Sequence, residues 1–249
     1  MAIIEAGRFT IIHTEGASLL EDDTSFQKAA WTQEQKNRCL LNAYRACHGA
    51  GISAENRLAA LGFNQNDRTV REIKEPDTEL FTKRDGNVLI ANSTEVTLIA
   101  WASDCCLVAL IDDDGDYAAV LHASVNTFKN GIIDQAVKAM HDRGVKSMTA
   151  YVGICAGKCC YEYGAEKASE DFAEWPDFIV PSVMPGKVFL DLGGAVRESL
   201  RRNEVKVVDI FPNCACNICA RKGDGAYRFF SYRRDRPNNG QYALLIHKR

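Results

Sequence analysis

Four closely spaced apolar runs between residues 88 and 123 constrain the fold more than any other feature of the sequence. They are rich in β-branched residues and are separated by turn residues; the runs are Val88–Ala91, Val96–Ala102, Cys106–Ile111 and Tyr117–Ala123. Three of them are apolar almost throughout and do not alternate with polar residues, which is typical of strands covered on both faces. The sequence therefore predicts a buried sheet with further structure packed on each side.

Helical periodicity and further strand-like runs flank this region. Capping residues and apolar stripes predict helices, which are Gln33 to about His48 (with Thr32 as N-cap), 54–61 (with Ser53 as N-cap), Thr127–Met140, Ala165–Ala173 and Leu192–Arg202 (with Asp191 as N-cap). Further strands are predicted at Phe9–His13, Met148–Gly153, Val205–Phe211 and Gln241–Ile246. The polar stretch 64–85 is predicted to be a loop with at most one short strand. We expect one mixed α/β domain over residues 1–249.

Charge, N-terminal pattern and hydropathy argue against nucleic-acid binding, secretion and membrane insertion. Thirty Lys and Arg against 33 Asp and Glu give a net charge of −3, which does not favour nucleic acid as a partner. The N-terminal residues lack the pattern of a signal peptide, and no apolar run approaches the length of a membrane span. We therefore expect a cytoplasmic protein without membrane contact. In that compartment the ten cysteines are expected to be thiols or metal ligands and not a disulfide framework.

Cys105 and His122 are the strongest candidates for chemistry. Each lies at the end of an apolar run, and the turn signal Asp113–Asp116 between them predicts an antiparallel hairpin that brings them towards each other. A thiol beside an imidazole can bind a metal or act as a nucleophile with its base. The residues alone also allow a buried cysteine and a core histidine with no catalytic role.

Several ordered motifs resemble the laccase-domain family, described as multicopper polyphenol oxidoreductases and also as purine nucleoside phosphorylases. The family's Ala-Asp-Cys and His-Ala-Gly-Trp-Arg-Gly motifs correspond to Ser103-Asp104-Cys105 and His122-Ala123-Ser124-Val125-Asn126-Thr127. Its later motifs resemble Gly153-Ile154-Cys155-Ala156-Gly157, Cys160-Tyr161-Glu162-Tyr163, Asp191-Leu192 and Phe230-Ser231-Tyr232-Arg233-Arg234-Asp235. The resemblance implies mixed sheets packed centrally with helices on the outer faces. It also implies phosphorolysis of purine nucleosides such as adenosine or inosine, together with adenosine deamination.

The resemblance also implies a metal site and a substrate site. Family members bind zinc, or copper, through two histidines and a cysteine, and Cys105 and His122 match two of these ligands. The first family histidine has no counterpart, because no histidine occurs between His48 and His122, and Asp77 is the candidate replacement. The predicted residues for binding nucleoside and phosphate are Ser231, Arg233, Arg234 and Asn126. Asn126 and Gln241 replace two family arginines.

Three alternatives remain open at this point. The family fold is similar to that of the cytotoxic necrotizing factor toxins, so Cys105 and His122 could form a metal-independent deamidase or hydrolase dyad. A catalytically degenerate binding homologue is equally compatible with the missing histidine and arginines. Residues 231–235 could instead form a structural Arg–Asp network. Separately, Cys214, Cys216 and Cys219 could bind a metal with a fourth ligand from Cys159 or Cys160.

Overall fold

The computed structural model describes residues 1–15, 33–53, 55–62, 69–76, 78–79, 81–235 and 241–249, and within the first helix it describes side chains from Leu41 onward. The predicted helix cap at Thr32 lies outside this part of the chain. None of the helices in the described ranges is long and apolar enough to cross a membrane.

Fifteen strands in the described ranges form three sheets. In chain order the strands are Ala2–Ala6 (β1), Phe9–His13 (β2), Arg57–Gly62 (β3), Val70–Ile73 (β4), Phe81–Asp85 (β5), Val88–Ala91 (β6), Val96–Ala102 (β7), Cys106–Asp112 (β8), Ala118–Ala123 (β9), Met148–Val152 (β10), Glu162–Gly164 (β11), Ile179–Pro181 (β12), Lys187–Leu190 (β13), Lys206–Asp209 (β14) and Tyr242–Lys248 (β15). Sheet A has the order β1-β2-β15-β7-β3-β5, sheet B has the order β14-β10-β8-β9-β6-β4, and a small third sheet has the order β11-β13-β12.

Most of the α-helices lie on the outer sides of the two large sheets. In the described ranges the α-helices are Gln33–Gly49 (α1), Val125–Lys129 (α2), Ile132–His141 (α3), Ala165–Asp171 (α4), Leu192–Arg202 (α5) and Tyr232–Asp235 (α6), and a 3-10 turn spans Pro176–Phe178. Side chains of α1 pack on one face of sheet A, and those of α2, α3 and α5 pack on one face of sheet B. A third core, with side chains from both sheets, lies between them. The predicted α/β class, with mixed sheets at the centre and helices outside, is confirmed.

Burial on both faces explains why the central strands are apolar throughout. Every residue of β6, β7, β8 and β9 is buried. Along β8, Leu107 and Ala109 face the core between the sheets, whereas Cys106 and Val108 face the helices. Both alternating sets of side chains are therefore removed from water, and no polar alternation is possible.

The predicted hairpin between β8 and β9 is confirmed, and an aspartate at its base organises the turn. The two strands pair in antiparallel register, with Leu107 opposite His122. The carboxylate of Asp112 accepts hydrogen bonds from the amides of Asp114 at 3.1 Å and Asp116 at 3.1 Å. Gly115 has a φ of +85°, in a region of backbone conformation that is energetically unfavourable for residues with a Cβ.

Three local predictions were wrong. The segment after Ser53 contains β3 and not a helix, because Leu58 to Leu61 pair in parallel with β5 and β7 inside sheet A. The polar stretch before residue 86 contains two strands, β4 and β5, where a loop with at most one short strand was predicted. The helix predicted from Thr127 to Met140 is two helices, because Gly131 with a φ of +77° separates α2 from α3.

His13 is an unexpected part of the core between the sheets. The sequence favours a surface position for this residue, beside a turn, but its side chain is fully buried. Its Nδ1–H donates to the carbonyl of Thr14 at 2.8 Å, and its ring stacks on Tyr242 with centroids 5.3 Å apart. A Cβ on Gly153 would lie 2.7 Å from the imidazole Nε2, so this glycine allows the approach. Burial lowers the pKa of His13 to about 4.

We predict that His13 makes the folded state sensitive to mild acid. Between pH 6.5, the ordinary histidine pKa, and about pH 4, the unfolded chain binds a proton at this position and the native chain does not. Stability therefore falls as the pH falls through this window, by up to about 1.4 kcal/mol per pH unit for this one group. Urea unfolding at several pH values should show a smaller pH slope for His13→Gln than for wild type. The exposed control His48→Gln should keep the wild-type slope, and equal slopes for both variants would contradict the prediction.

Candidate active site and cysteine cluster

Cys105 and His122 lie on the same face of the β8–β9 hairpin. His122 pairs with Leu107, which faces the core between the sheets, and Cys105, directly before β8, packs against the same core. Cys105 is half-buried and packs against the core between the sheets, and His122 is 2% exposed. The two predicted site residues therefore lie on the same side of sheet B, with Cys105 two residues before the strand partner of His122.

Asp104, which precedes Cys105, holds a strained backbone conformation. Its φ is +93°, in a region that residues with a side chain rarely adopt and that costs about 1–3 kcal/mol. Hydrogen bonds fix this peptide on both sides. The amide of Asp104 donates to the hydroxyl of Tyr242 at 3.3 Å, and its carbonyl accepts from the amide of Ala156 at 2.9 Å. The strain turns the chain sharply at the point where Cys105 enters strand β8.

The buried carboxylate of Asp104 joins three separate parts of the chain. One oxygen accepts from the side-chain amide of Asn217 at 2.8 Å, and the other accepts from the backbone amide of Arg233 at 2.9 Å. Asn217 also donates to the carbonyl of Phe230 at 2.7 Å. The start of β8, the cysteine-containing loop after β14 and helix α6 therefore meet at one carboxylate.

Sequence reasoning missed Asn217 and Tyr242 as parts of this site. Tyr242 is fully buried and donates from its hydroxyl to the carbonyl of Cys105 at 2.9 Å. Asn217 is fully buried too, and its backbone amide donates to the carbonyl of Cys155 at 3.0 Å. Asn217 lies among the cysteines at positions 214 to 219. Its polar side chain between cysteines is the sequence feature that could have indicated a role in the site. Tyr242 lies in an apolar strand and has no such feature.

The two arginines of α6 have different environments. Arg233 is exposed; one guanidinium nitrogen donates to the carbonyl of Glu162, and the guanidinium carbon lies 4.5 Å from the centre of the Tyr161 ring. Arg234 is half-buried, and its guanidinium contacts both carboxylate oxygens of Asp235 at 2.6 and 2.7 Å and the carbonyl of Phe229 at 2.7 Å. Arg233 thus offers a partly open cation, whereas Arg234 supports the loop around it.

Two further predicted substrate residues flank this region. Ser231 is fully buried, and its hydroxyl accepts from the amide of Arg234 at 3.2 Å, in the manner of a helix cap. Its own amide donates to Asp235 at 2.9 Å. Asn126 is half-buried in the first turn of α2, four residues after His122. Ser231 therefore shapes α6, and Asn126 lies on the helix that follows the histidine.

Burial keeps both groups of the Cys105–His122 pair neutral near pH 7. It raises the pKa of the Cys105 thiol to about 12, helped by the negative charge of Asp104 and opposed by Arg233. It lowers the pKa of His122 to about 4. A thiol and a neutral imidazole are therefore the stable forms, and not the thiolate–imidazolium pair of an activated cysteine nucleophile.

Cys105 and His122 are the two predicted metal ligands that lie in the described residues, and a catalytic zinc site needs three protein ligands. A thiolate sulfur and a neutral imidazole are suitable donors, but Cys105 and His122 are not joined by a third histidine, cysteine or carboxylate in the part of the chain that the structure describes. Asp77, the predicted third ligand, lies outside the described residues. These residues do not by themselves fit a three-ligand metal, and we derive no catalytic step through one.

Four other cysteines do come together. The sulfur atoms of Cys159, Cys160, Cys216 and Cys219 all lie within 4.8 Å of one another. The sequence predicts a metal site at Cys214, Cys216 and Cys219 with a fourth ligand from Cys159 or Cys160. The cluster contains two of those three loop thiols, together with both Cys159 and Cys160. Cys214, the remaining predicted thiol, lies in the same loop but is not a member. The arrangement could hold a metal ion, and we refer to these four residues as the cysteine cluster.

A groove of about 450 Å³ lies elsewhere, beside β4 and β5. Its lining is charged and includes Arg71, Glu72, Lys74 and Arg84. The stretch from Glu72 to Glu79 is where the resemblance places the family's first histidine, yet neither Cys105 nor His122 lines the groove. Charges of both signs alternate along it, so it does not favour an anionic or a cationic ligand.

The two packed mixed sheets, the hairpin with Cys105 and His122, and the Ser-Tyr-Arg-Arg-Asp helix define a protein of the laccase-domain class. The chain belongs to the family described as multi-copper polyphenol oxidoreductase laccase, whose model matches residues 12–249.

Solved structures share this fold over the whole chain. The hypothetical protein YfiH of Bacillus licheniformis has a TM-score of 0.78 at 17% identity, and YlmD of Geobacillus stearothermophilus has a TM-score of 0.77 at 16% identity. Each alignment covers 100% of this chain and 97% of the other. The fold predicted from the resemblance is therefore confirmed.

Curated relatives carry the name purine nucleoside phosphorylase. The Aquifex aeolicus protein is 29% identical over 164 residues, which cover 65% of this chain and 71% of the relative. The Xylella fastidiosa (strain Temecula1) protein is 29% identical over 152 residues, or 59% of this chain and 55% of the relative. The second alignment thus spans just over half of the relative's length.

We predict that Asn217→Ala destabilises the protein by about 2 kcal/mol, because it leaves a buried carboxylate and a carbonyl without their donor. Asn203→Ala is the matched control. Asn203 also donates to a carboxylate, Asp134 at 2.7 Å, and to a carbonyl, Ser199 at 2.9 Å, but it does so at the surface end of α5. Urea denaturation should give the control a loss below about 1 kcal/mol. Equal losses for the two variants would show that Asp104 does not depend on Asn217.

Proposed function

We propose that this chain is a purine nucleoside phosphorylase-like transferase whose site lies around Cys105, His122 and Arg233. In the proposed reaction a phosphate oxygen forms a bond to C1′ of the sugar while the bond from C1′ to N9 of the purine breaks. The products are a pentose 1-phosphate and the purine base, and the base takes up a proton. Adenosine and inosine are the proposed substrates, because both are purine nucleosides and the curated relatives carry the name purine nucleoside phosphorylase.

One observation supports this proposal most directly. The backbone amide of Arg233 binds the carboxylate of Asp104, the neighbour of Cys105, at 2.9 Å. This hydrogen bond keeps the exposed guanidinium close enough to Cys105 to oppose the burial that raises the pKa of the thiol. A cation is therefore held near Cys105, one of the two residues that carry the family motifs.

The chain's own groups can bind and orient the two substrates. Arg233 has guanidinium N–H groups beyond the one used by Glu162, and a guanidinium binds phosphate through paired hydrogen bonds. The Tyr161 ring beneath it limits its motion. Asp104, Asn217 and Ser231 hold α6 in place and do not themselves have to contact substrate. In this proposal Arg234 is a positioning residue for Arg233.

Adenosine deamination is the weaker part of the expected activity. Hydrolytic removal of the amino group requires an activated water, which a metal ion supplies in many deaminases. Among the described residues, Cys105 and His122 are the two predicted metal donors. Measuring adenosine deamination by the Asp77→Ala variant tests whether Asp77 is the third donor. We therefore assign phosphorolysis to this site first, with zinc or copper at Cys105, His122 and Asp77 as the arrangement that deamination would need.

A second candidate, a non-catalytic binding homologue, is favoured by two replacements. Asn126 and the buried Gln241 stand where family members carry arginines, so the site has fewer cations for phosphate. The same assay separates the two candidates. Wild-type protein that releases neither base nor pentose 1-phosphate from adenosine or inosine would overturn the proposed phosphorolysis and support the non-catalytic candidate.

We predict that Arg233→Ala raises the KM for phosphate by about 10- to 100-fold, because one charge-assisted contact is lost. The KM for inosine should change little. Arg201→Ala, which removes an exposed arginine in the last turn of α5, is the matched control and should behave as wild type. Chromatography of the purine base formed at varied phosphate concentration measures both constants. A rise confined to the KM for inosine would contradict the phosphate-binding role.

The raised pKa of Cys105 predicts a thiol reactivity that differs from that of a metal-independent dyad. With a pKa of about 12, the thiol should react with iodoacetamide slowly at pH 7 and about tenfold faster for each pH unit up to pH 10. His122→Ala should not change this dependence, since the histidine does not activate the thiol. Peptide mass spectrometry gives the rate at Cys105 alone. A rate that is already constant above pH 7, and that falls in His122→Ala, would support the dyad and contradict this prediction.

A further inference from the structure

We infer that the cysteine cluster is a structural zinc site, separate from Cys105 and His122, that ties the loop after β10 to the loop after β14. Its proposed ligands are the thiolates of Cys159, Cys160, Cys216 and Cys219. None of these residues belongs to the metal site that the family motifs imply.

The spacing of the sulfur atoms matches tetrahedral coordination. Zinc–sulfur bonds of about 2.3 Å place the sulfur atoms of a regular tetrahedron about 3.8 Å apart. In this structure the sulfur atoms of Cys159 and Cys219 are 3.7 Å apart, and all four lie within 4.8 Å of one another. A disulfide needs a separation of about 2.05 Å, so the four residues are arranged around a common point and are not joined in pairs.

The local backbone is shaped to hold thiolates. Cys216 and Cys219 have the two-residue spacing of a zinc-binding turn. The amide of Gly157 donates to the sulfur of Cys216 at 3.3 Å, and the amides of Ile218 and Cys219 also point to this sulfur. Such N–H donors stabilise negative charge on a ligating sulfur and fix its direction.

Gly157 lets the two loops approach closely enough to share an ion. A Cβ at this position would lie 2.3 Å from the carbonyl oxygen of Ala215 and 3.0 Å from the Cβ of Cys216. Within the loop of Gly157 itself, the amides of Cys160 and Tyr161 both donate to the carbonyl of Gly157 at 2.9 Å. This turn presents the adjacent thiols of Cys159 and Cys160 towards Cys216 and Cys219.

Zinc suits this set better than the common ions that prefer oxygen ligands. Four thiolates with no open position form a closed site, which is the structural and not the catalytic arrangement. Soft sulfur ligands exclude magnesium, calcium and manganese, which prefer oxygen. Asn217 stands between the ligands Cys216 and Cys219 in the sequence, and its side chain donates to Asp104. A bound ion would therefore fix the loop that supports the strained peptide before Cys105.

Metal analysis of full-length protein, purified under reducing conditions without chelators, tests the inference. We expect the double variant Cys216→Ser, Cys219→Ser to contain about one zinc ion per chain less than wild type, whatever metal is bound at Cys105 and His122. Cys214→Ser is the matched control, since it removes a thiol from the same loop outside the cluster, and it should keep its zinc. Cys105→Ala and His122→Ala should keep it too, whatever their effect on activity.

Wild-type protein provides a second measurement in case the double variant does not fold. Replacement of zinc by Co²⁺ should give the absorption bands of tetrahedral cobalt thiolate, and a mercurial reagent should release the zinc as thiols are titrated. Zinc-free wild type that gives no such bands after reconstitution with Co²⁺ would overturn the inference. So would zinc that is lost from Cys105→Ala and kept in the double variant, or a Cys159–Cys219 disulfide in the reduced preparation.

Discussion

The carboxylate of Asp104 is the interaction on which the arrangement of the site depends. It is buried, it stands on a strained peptide, and it accepts hydrogen bonds from two segments that lie more than one hundred residues away in the chain. A strained peptide persists only where its surroundings hold it in place, and here Tyr242, Ala156, Asn217 and Arg233 do so together. The position of Cys105 is thus set by contacts made through its neighbour.

The sequence predicts those parts of the fold that depend on local chemistry. The β8–β9 hairpin follows from apolar runs around an Asp-Asp-Gly-Asp turn, and α5 begins where the Asp191 side chain accepts from the amide of Gly194 at 2.9 Å. Strand β3 could not be predicted in this way. Leu58, Ala59 and Ala60 suit a helix, and only their parallel pairing with strands distant in sequence makes them a strand.

The same distinction applies to the site. The motifs at Cys105, His122 and Arg233 are visible in the sequence, because each is a short run of residues. The burial of His13 is not visible, since it results from the position of β2 inside sheet A, between β1 and β15. Nor can spacing alone join Cys159 to Cys219, which are 60 residues apart and meet only because β10 and β14 are parallel neighbours. Sequence patterns identify chemical groups, and long-range topology decides which of them meet.

The order of strands in sheet A has a consequence for synthesis. β15 lies between β2 and β7, so strands made early cannot pair through the centre of this sheet until residues 242–248 have been made. The same strand carries Tyr242, whose hydroxyl holds the peptides of Asp104 and Cys105. A nascent chain on the ribosome therefore contains the cysteine and histidine of the site long before it can hold them in place. During that interval one edge of β2 and one edge of β7 remain without their partner, and such open strand edges favour aggregation of the unfinished chain.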